Sequence, residues 1–177
     1  MKKFLLIPLS LTFFSFLYSY IISSFFYQFD KTGFIKIVVF QVYFTALINP
    51  IIHLIFLFFI IKLSFYYFDL SYSSKSFEIA SKCLIIPLFC IFICFVILST
   101  NKEKLYTANN INEIIDVDLF NHITIRSLNK FYTLSWYLIT PFLYVILRKS
   151  YPIEKVKCLT IALLPSFIFF ITYKISN

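Results

Sequence analysis

The chain has 177 residues, of which 60% are hydrophobic and only 14% are charged, with a mean hydropathy of +0.88. This composition excludes an ordinary water-soluble domain, in which about a quarter of the residues would carry charge. The net charge of +8 would favour nucleic acid as the partner of a soluble protein. Here, however, the lysines and arginines stand in short segments at the ends of apolar runs, where membrane orientation and anionic headgroups explain them. We therefore predict a lipid bilayer as a partner, and no nucleic acid.

Five apolar runs predict an all-α, polytopic membrane helix bundle that forms a single domain over 1–177. The first run follows two lysines like a signal peptide, but it is too long for a signal core and lacks a small-residue cleavage site, so we expect it to be retained. The second run is longer than a bilayer requires and contains Asn49-Pro50, which predicts a kink. The predicted spans are 4–27, 34–61, 83–98, 131–147 and 158–173, with a surface loop over 62–82 and a longer polar loop over 99–130.

The distribution of basic residues predicts a cytoplasmic amino terminus. Cytoplasmic loops of membrane proteins carry an excess of Lys and Arg, and short loops count more than long ones. We expect Arg148, Lys149, Lys155 and Lys157 to face lipid headgroups on the cytoplasmic side. With this orientation, nine basic residues lie inside and seven outside, four of the seven in the long loop. The inside set is Lys2, Lys3, Lys62, Lys75, Lys82, Arg148, Lys149, Lys155 and Lys157, and the outside set is Lys31, Lys36, Lys102, Lys104, Arg126, Lys130 and Lys174.

Two rows of side chains at a spacing of four residues stand out within the first two spans. Such residues share one face of a helix. In the first span the row consists of serines, whose small size predicts a helix-packing face. In the second span the row is polar, and polar side chains at membrane depth mark either hydrogen bonds between helices or a pathway for a substrate or proton. The helix-packing row is Ser15, Ser19 and Ser23, and the polar intramembrane stripe is Gln41, Thr45, Asn49 and His53.

The long loop holds a cluster of acidic residues with one histidine. Oxygen-rich clusters suggest a divalent cation or a partner, although the spacing fits no calcium-binding loop. The same residues are also typical of the wet side of an interfacial amphipathic helix. Both interpretations apply to Glu113, Asp116, Asp118 and His122, and the dry side of such a helix would be Ile111, Ile114, Ile115, Leu119 and Phe120.

No motif in the sequence indicates a reaction. GxSxG, HExxH and a glycine-rich phosphate loop are all absent, and the two histidines stand on different segments. The four cysteines lack CxxC spacing and are expected to be packing residues, so neither a disulfide framework nor a metal site is predicted. No Asp, Glu, Lys or Arg lies in the middle of a predicted span, which argues against an ion-coupled transporter. We expect a protein that is not an enzyme and needs no cofactor or metal.

Three segments resemble the Yip-domain family of five-span membrane proteins, named for interaction with Ypt/Rab GTPases. SFEIASKCLIIP at 76–87 is similar to the family's Ser/Ala-rich approach to a span with an early proline. LNKFYTLSWYLITPFLYVIL at 128–147 resembles its aromatic fourth span, and EKVKCLTIALLPS at 154–166 is similar to its basic final span. The family's glycines and its long amino-terminal region are absent here, which puts the GTPase partnership in doubt. The resemblance implies five helices and a role in organising membrane partners.

Three functions follow as expectations. The first is a scaffold or accessory subunit of a membrane complex, with other membrane proteins or a second copy of the chain as partner. The second is a small permease or channel subunit lined by the polar stripe, and the third is a membrane effector or immunity protein of a bacterial conflict system. For each of them, the bacterial inner membrane is the expected location.

Overall fold

The computed structural model describes residues 2–29, 33–108 and 110–176, and these form helices and turns without a strand. The predicted all-α fold class is therefore confirmed for the described residues. The helices are α1 (Lys2–Phe29), α2 (Gly33–Tyr67), α3 (Ser76–Cys83), α4 (Ile85–Thr100), α5 (Ile111–Ile114), α6 (Ile125–Tyr137), α7 (Ile139–Ser150) and α8 (Lys155–Ser176), with 3₁₀ turns at Ser73–Lys75 and Lys102–Thr107.

Three helical stretches among the described residues are long and apolar enough to cross a membrane: Phe4–Phe26, Gly33–Tyr67 and Ser73–Thr100. Only 22%, 28% and 39% of their most apolar windows are buried inside the chain. Large side chains such as Phe40 and Leu6 instead point outward. Water would penalise this much exposed apolar surface, whereas lipid tails would not. The three helices thus indicate a membrane protein.

Aromatic contacts bring three chain segments together at one end of the bundle, which we call the Tyr151 end. The Lys82 ammonium lies 5.4 Å from the centre of the Phe4 ring, which joins α3 to the start of α1. The Tyr151 ring, between α7 and α8, lies 4.8 Å from Tyr72 and 6.5 Å from Phe65 at the end of α2. The predicted orientation requires that these same three segments share one side of the membrane.

A second set of contacts defines the opposite end, the Tyr106 end. There Phe25, near the end of α1, packs edge-to-face on Tyr106 of the second 3₁₀ turn, with ring centres 4.9 Å apart.

Helices α7 and α8 form a hairpin in which the hydroxyls of Thr140 and Ser166 are in hydrogen-bond contact. Along the chain, the long helical segments are α1, α2, α3 followed by α4, α6 followed by α7, and α8.

The prediction of a surface loop over 62–82 is wrong for most of its length. Helix α2 continues to Tyr67 because Ile61 and Phe65 are fully buried and hold its last turns against the bundle. The helix ends where Asp69 adopts a left-handed backbone with φ of 52°. After the short connection, α3 adds two helical turns directly before α4. The true connection between helices is therefore much shorter than the polar composition suggests.

Two helical segments are each divided into two helices, α3 with α4 and α6 with α7, and in both cases the break lies three residues before a proline. Proline has no N–H, so the carbonyl four residues earlier loses its helical partner. Pro87 leaves the Cys83 carbonyl without this partner, and the helix breaks at Leu84. Pro141 accompanies the break at Leu138, which divides the predicted span 131–147. Other prolines lie inside uninterrupted helices, so proline alone does not decide a break.

The polar segment 99–130 lies against the bundle and is not one amphipathic helix. Leu105, Ile114 and Leu119 are fully buried, so the segment contributes to the core. Helix α5 spans a single turn, and a tight turn follows in which Asn121 and His122 have positive φ values. A left-handed backbone at two consecutive residues cannot continue a right-handed helix. The expected single helix is therefore wrong, and the side chain of Ile111 lies outside the described residues.

Neighbouring serines on α1 provide a matched test of packing. Ser23 is fully buried and Ser24 is exposed. We expect Ser23→Leu to lower the free energy of unfolding by about 1–3 kcal/mol, because the larger side chain overfills a packed site. Ser24→Leu should leave stability close to that of the parent chain. Thermal unfolding in detergent measures both, and equal melting temperatures for the two variants would show that this face of α1 is not packed as described.

Candidate functional site

The polar stripe of α2 lines a cavity of about 370 Å³ between α1, α2 and α6. All four residues of the stripe take part. At a rise of about 1.5 Å per residue, the stripe extends about 18 Å along the helix axis. The opposite walls come from α1 and α6, with one apolar contact from α4. The polar residues from these two helices are Ser15, Tyr18, Ser19, Asn129, Tyr132 and Trp136.

His53 connects the α2 wall to the α6 wall. Its Nδ1 lies 2.6 Å from the Asn49 carbonyl oxygen, and a carbonyl can only accept, so Nδ1 carries the hydrogen and donates. The neutral ring therefore has its acceptor lone pair on Nε2. The imidazole also stacks on the Trp136 indole, with ring centres 4.0 Å apart and planes 27° apart. These two contacts fix both the tautomer and the orientation of the ring.

A hydrogen bond joins α1 to α6 across the cavity. The Tyr18 hydroxyl donates to Asn129 Oδ1 at 2.9 Å. Deeper along α1, Ser15 exposes only 7% of its surface, and its Oγ lies beside the Tyr132 hydroxyl without completing a hydrogen bond. The Ser15 hydroxyl is therefore enclosed between α1 and α6, with the Tyr132 hydroxyl as its polar neighbour.

The serine row of α1 divides between cavity and core. Ser15 and Ser19 line the cavity, whereas Ser23 is fully buried and donates to the Ser19 carbonyl at 2.6 Å. The carboxyl-terminal serine of the row therefore packs within the chain, and the other two border the cavity. Because Ser19 borders open space, a larger side chain has room there that it lacks at Ser23.

The sequence pattern does not predict the α6 residues of the cavity. Tyr132 and Trp136 are residue types that are common in the aromatic belt at a membrane surface. In the structure they face the cavity together with Asn129. The spacing of three and four residues among Asn129, Tyr132 and Trp136 puts them on one helical face, and that periodicity could have identified them.

The acidic loop residues are occupied by separate local interactions. Asp116 forms a two-point ion pair with Arg126, at 2.8 and 2.9 Å. Glu113 accepts from the Asn110 side chain, and Asp118 accepts the backbone N–H of His122 at 2.9 Å. Across the described ranges, no group of three or more His, Cys, Asp or Glu side chains could hold a metal ion. A cation or partner role for these residues has no support beyond the sequence pattern.

The predicted headgroup-facing residues surround the turn between α7 and α8 at the Tyr151 end. Arg148 donates to the Ile153 carbonyl at 2.8 Å, so part of its guanidinium closes the turn. Lys157 lies 3.8 Å from Glu154, and Lys149 and Lys155 are exposed. The arrangement is a basic hairpin end with two side chains directed outward.

Among the described residues, the cavity lining contains amides, hydroxyls, one imidazole and apolar side chains, but no carboxylate, ammonium or guanidinium group. The four cysteines are buried and free, and none of them lines the cavity.

Comparison with known proteins gave no match: no protein-family model, no curated protein and no solved structure is similar to the chain.

The bond between Tyr18 and Asn129 can be tested by a double-mutant cycle. Tyr18→Phe should lower stability by about 0.5–1.5 kcal/mol, because it removes one hydrogen bond and leaves a polar acceptor behind. Once Asn129 is alanine, the same change should have little effect. The exposed Tyr20→Phe is the control. Thermal unfolding in detergent measures the cycle, and additive effects of the two changes would show that the helices are not joined here.

Proposed function

We propose that the chain is a five-pass integral membrane protein that binds a small molecule within the membrane, as a small permease or channel subunit does. The single observation that carries this proposal is the convergence of three helices on one polar cavity. The stripe of α2 meets polar side chains of α1 and α6 there, although these segments lie far apart in sequence. Polar groups at membrane depth are costly and commonly mark a substrate site.

The size and position of the cavity support the same function. Its volume of about 370 Å³ lies in the range of small-molecule sites. Asn129 lies four residues into α6, about 6 Å from the start of that helix and close to the polar loop. His53 lies near the middle of α2. The cavity therefore extends from near one membrane surface towards the middle of the bundle, which suits the uptake of a molecule from that side.

A scaffold or accessory subunit, as the Yip-like resemblance implies, is the second candidate function. One observation favours it: Gln41, Thr45 and Asn49 are exposed on the single chain at the depth of the membrane. A partner helix that covers them would satisfy their hydrogen bonds. Both candidate functions are non-enzymatic, and they differ in whether water or another protein occupies the cavity.

The reaction of a cysteine introduced at one position with a charged thiol reagent distinguishes the two candidate functions. We expect Thr45→Cys to react with a membrane-impermeant thiosulfonate in reconstituted vesicles, because thiols form the reactive thiolate only where water reaches them. Phe44→Cys, the next residue on α2, should stay unreactive, since Phe44 is exposed but does not line the cavity. The parent chain, whose cysteines are all buried, provides the background. An unreactive Thr45→Cys would favour the accessory subunit and overturn the binding proposal.

In the proposed topology the chain crosses a bacterial inner membrane five times, and the Tyr151 end lies on the cytoplasmic side. Cysteines introduced at Ser73 and Ser150 should then be protected from an impermeant maleimide in right-side-out vesicles, whereas one introduced at Glu103 should react. All three residues are exposed on the chain. The opposite pattern would invert the orientation, and labelling at both ends would contradict an embedded bundle.

A further inference from the structure

The cavity combines a neutral lining with an opening towards lipid, and together these define a class of ligand. We propose that it binds the uncharged, hydroxyl-bearing head of a membrane lipid, such as the glycerol head of a diacylglycerol, while the hydrocarbon chains stay in the bilayer. This inference rests on the proposed function, whose small-molecule site it specifies.

The lining excludes a charged head. A phosphate or ammonium group at membrane depth needs a counter-charge or extensive hydration. The described residues that line the cavity include no Lys, Arg, Asp or Glu, and the Nδ1–H of His53 already donates to a backbone carbonyl. An anionic phospholipid would therefore lose the solvation of its phosphate without a compensating ion pair. A neutral lipid has no such loss.

The hydrogen-bonding groups of the cavity match a head that both donates and accepts, as the hydroxyl and the two ester carbonyls of a diacylglycerol do. Carboxamides of Gln41, Asn49 and Asn129 can each donate and accept, as a hydroxyl can. The hydroxyl-bearing residues Ser19 and Thr45, which also line the cavity, add two further groups that donate and accept.

The exposure of α2 indicates that the ligand arrives from the bilayer. Gln41 and Thr45 line the cavity and are also exposed on the outside of the chain, each next to an exposed phenylalanine at position 40 or 44. The polar stripe therefore borders the lipid-facing surface directly. At about 370 Å³ the cavity has room for a head group but not for two long hydrocarbon chains, which the lateral opening leaves in the lipid.

Two photoactivatable lipids with identical chains test the proposal. The full chain is reconstituted in phosphatidylcholine vesicles that contain either a diacylglycerol or the corresponding phosphatidic acid, each with a diazirine close to the ester group. We expect adducts of the diacylglycerol on cavity-lining peptides of α2 and α6, at about threefold to tenfold the level of phosphatidic acid. Mass spectrometry of peptides measures the adducts.

Variants of the stripe make the comparison specific. Thr45→Val keeps the side-chain volume but removes the hydroxyl, and Asn49→Leu removes the amide; both should reduce the diacylglycerol adduct by about threefold or more. Ile52→Leu, exposed on the same helix but outside the cavity, should leave it unchanged.

Equal labelling by the two lipids, adducts outside the lining, or unchanged labelling of Thr45→Val would overturn the lipid inference. If Thr45→Cys still reacts with the charged reagent in that case, the binding proposal stands and only the ligand class is wrong. If Thr45→Cys is unreactive as well, the proposed function itself fails.

Discussion

A polar side chain inside hydrocarbon must obtain its hydrogen bonds from protein or from water, because lipid tails offer none. Helix α2 carries four such side chains in one row, and the arrangement around them follows from this constraint. Tyr18 and Asn129 bond to each other across the cavity, and His53 bonds to the backbone of its own helix while its ring rests on Trp136. The row therefore lies where polar side chains of α1 and α6 converge on α2.

Much of the architecture could be predicted from the sequence because helix length and apolar composition depend on local residues. The all-α class, the three long apolar helices and the common face of Gln41, Thr45, Asn49 and His53 all follow from composition and periodicity. The five-span count and the orientation stay predictions. Periodicity gives the face of a helix but not its neighbour, so the convergence of α1, α2 and α6 could not be derived.

The errors have a common physical origin. Polar composition suggested loops at 62–82 and 99–130, yet buried residues such as Phe65 and Leu119 hold parts of both segments against the bundle. Tyr and Trp are common at membrane surfaces, so composition alone does not predict that Tyr132 and Trp136 of α6 line a cavity. In each case the tertiary contact, which composition does not record, decides where the side chain lies.

The break at Leu138 leaves α6 and α7 packed against different neighbours. Helix α7 is held in a hairpin with α8 through Thr140 and Ser166, whereas α6 forms a wall of the cavity and packs on α4. No continuous ladder of helical hydrogen bonds transmits the orientation of one to the other, because proline removes a rung at the joint. The width of the cavity on its α6 side can therefore change with the tilt of one short helix, without a matching change in the α7–α8 hairpin.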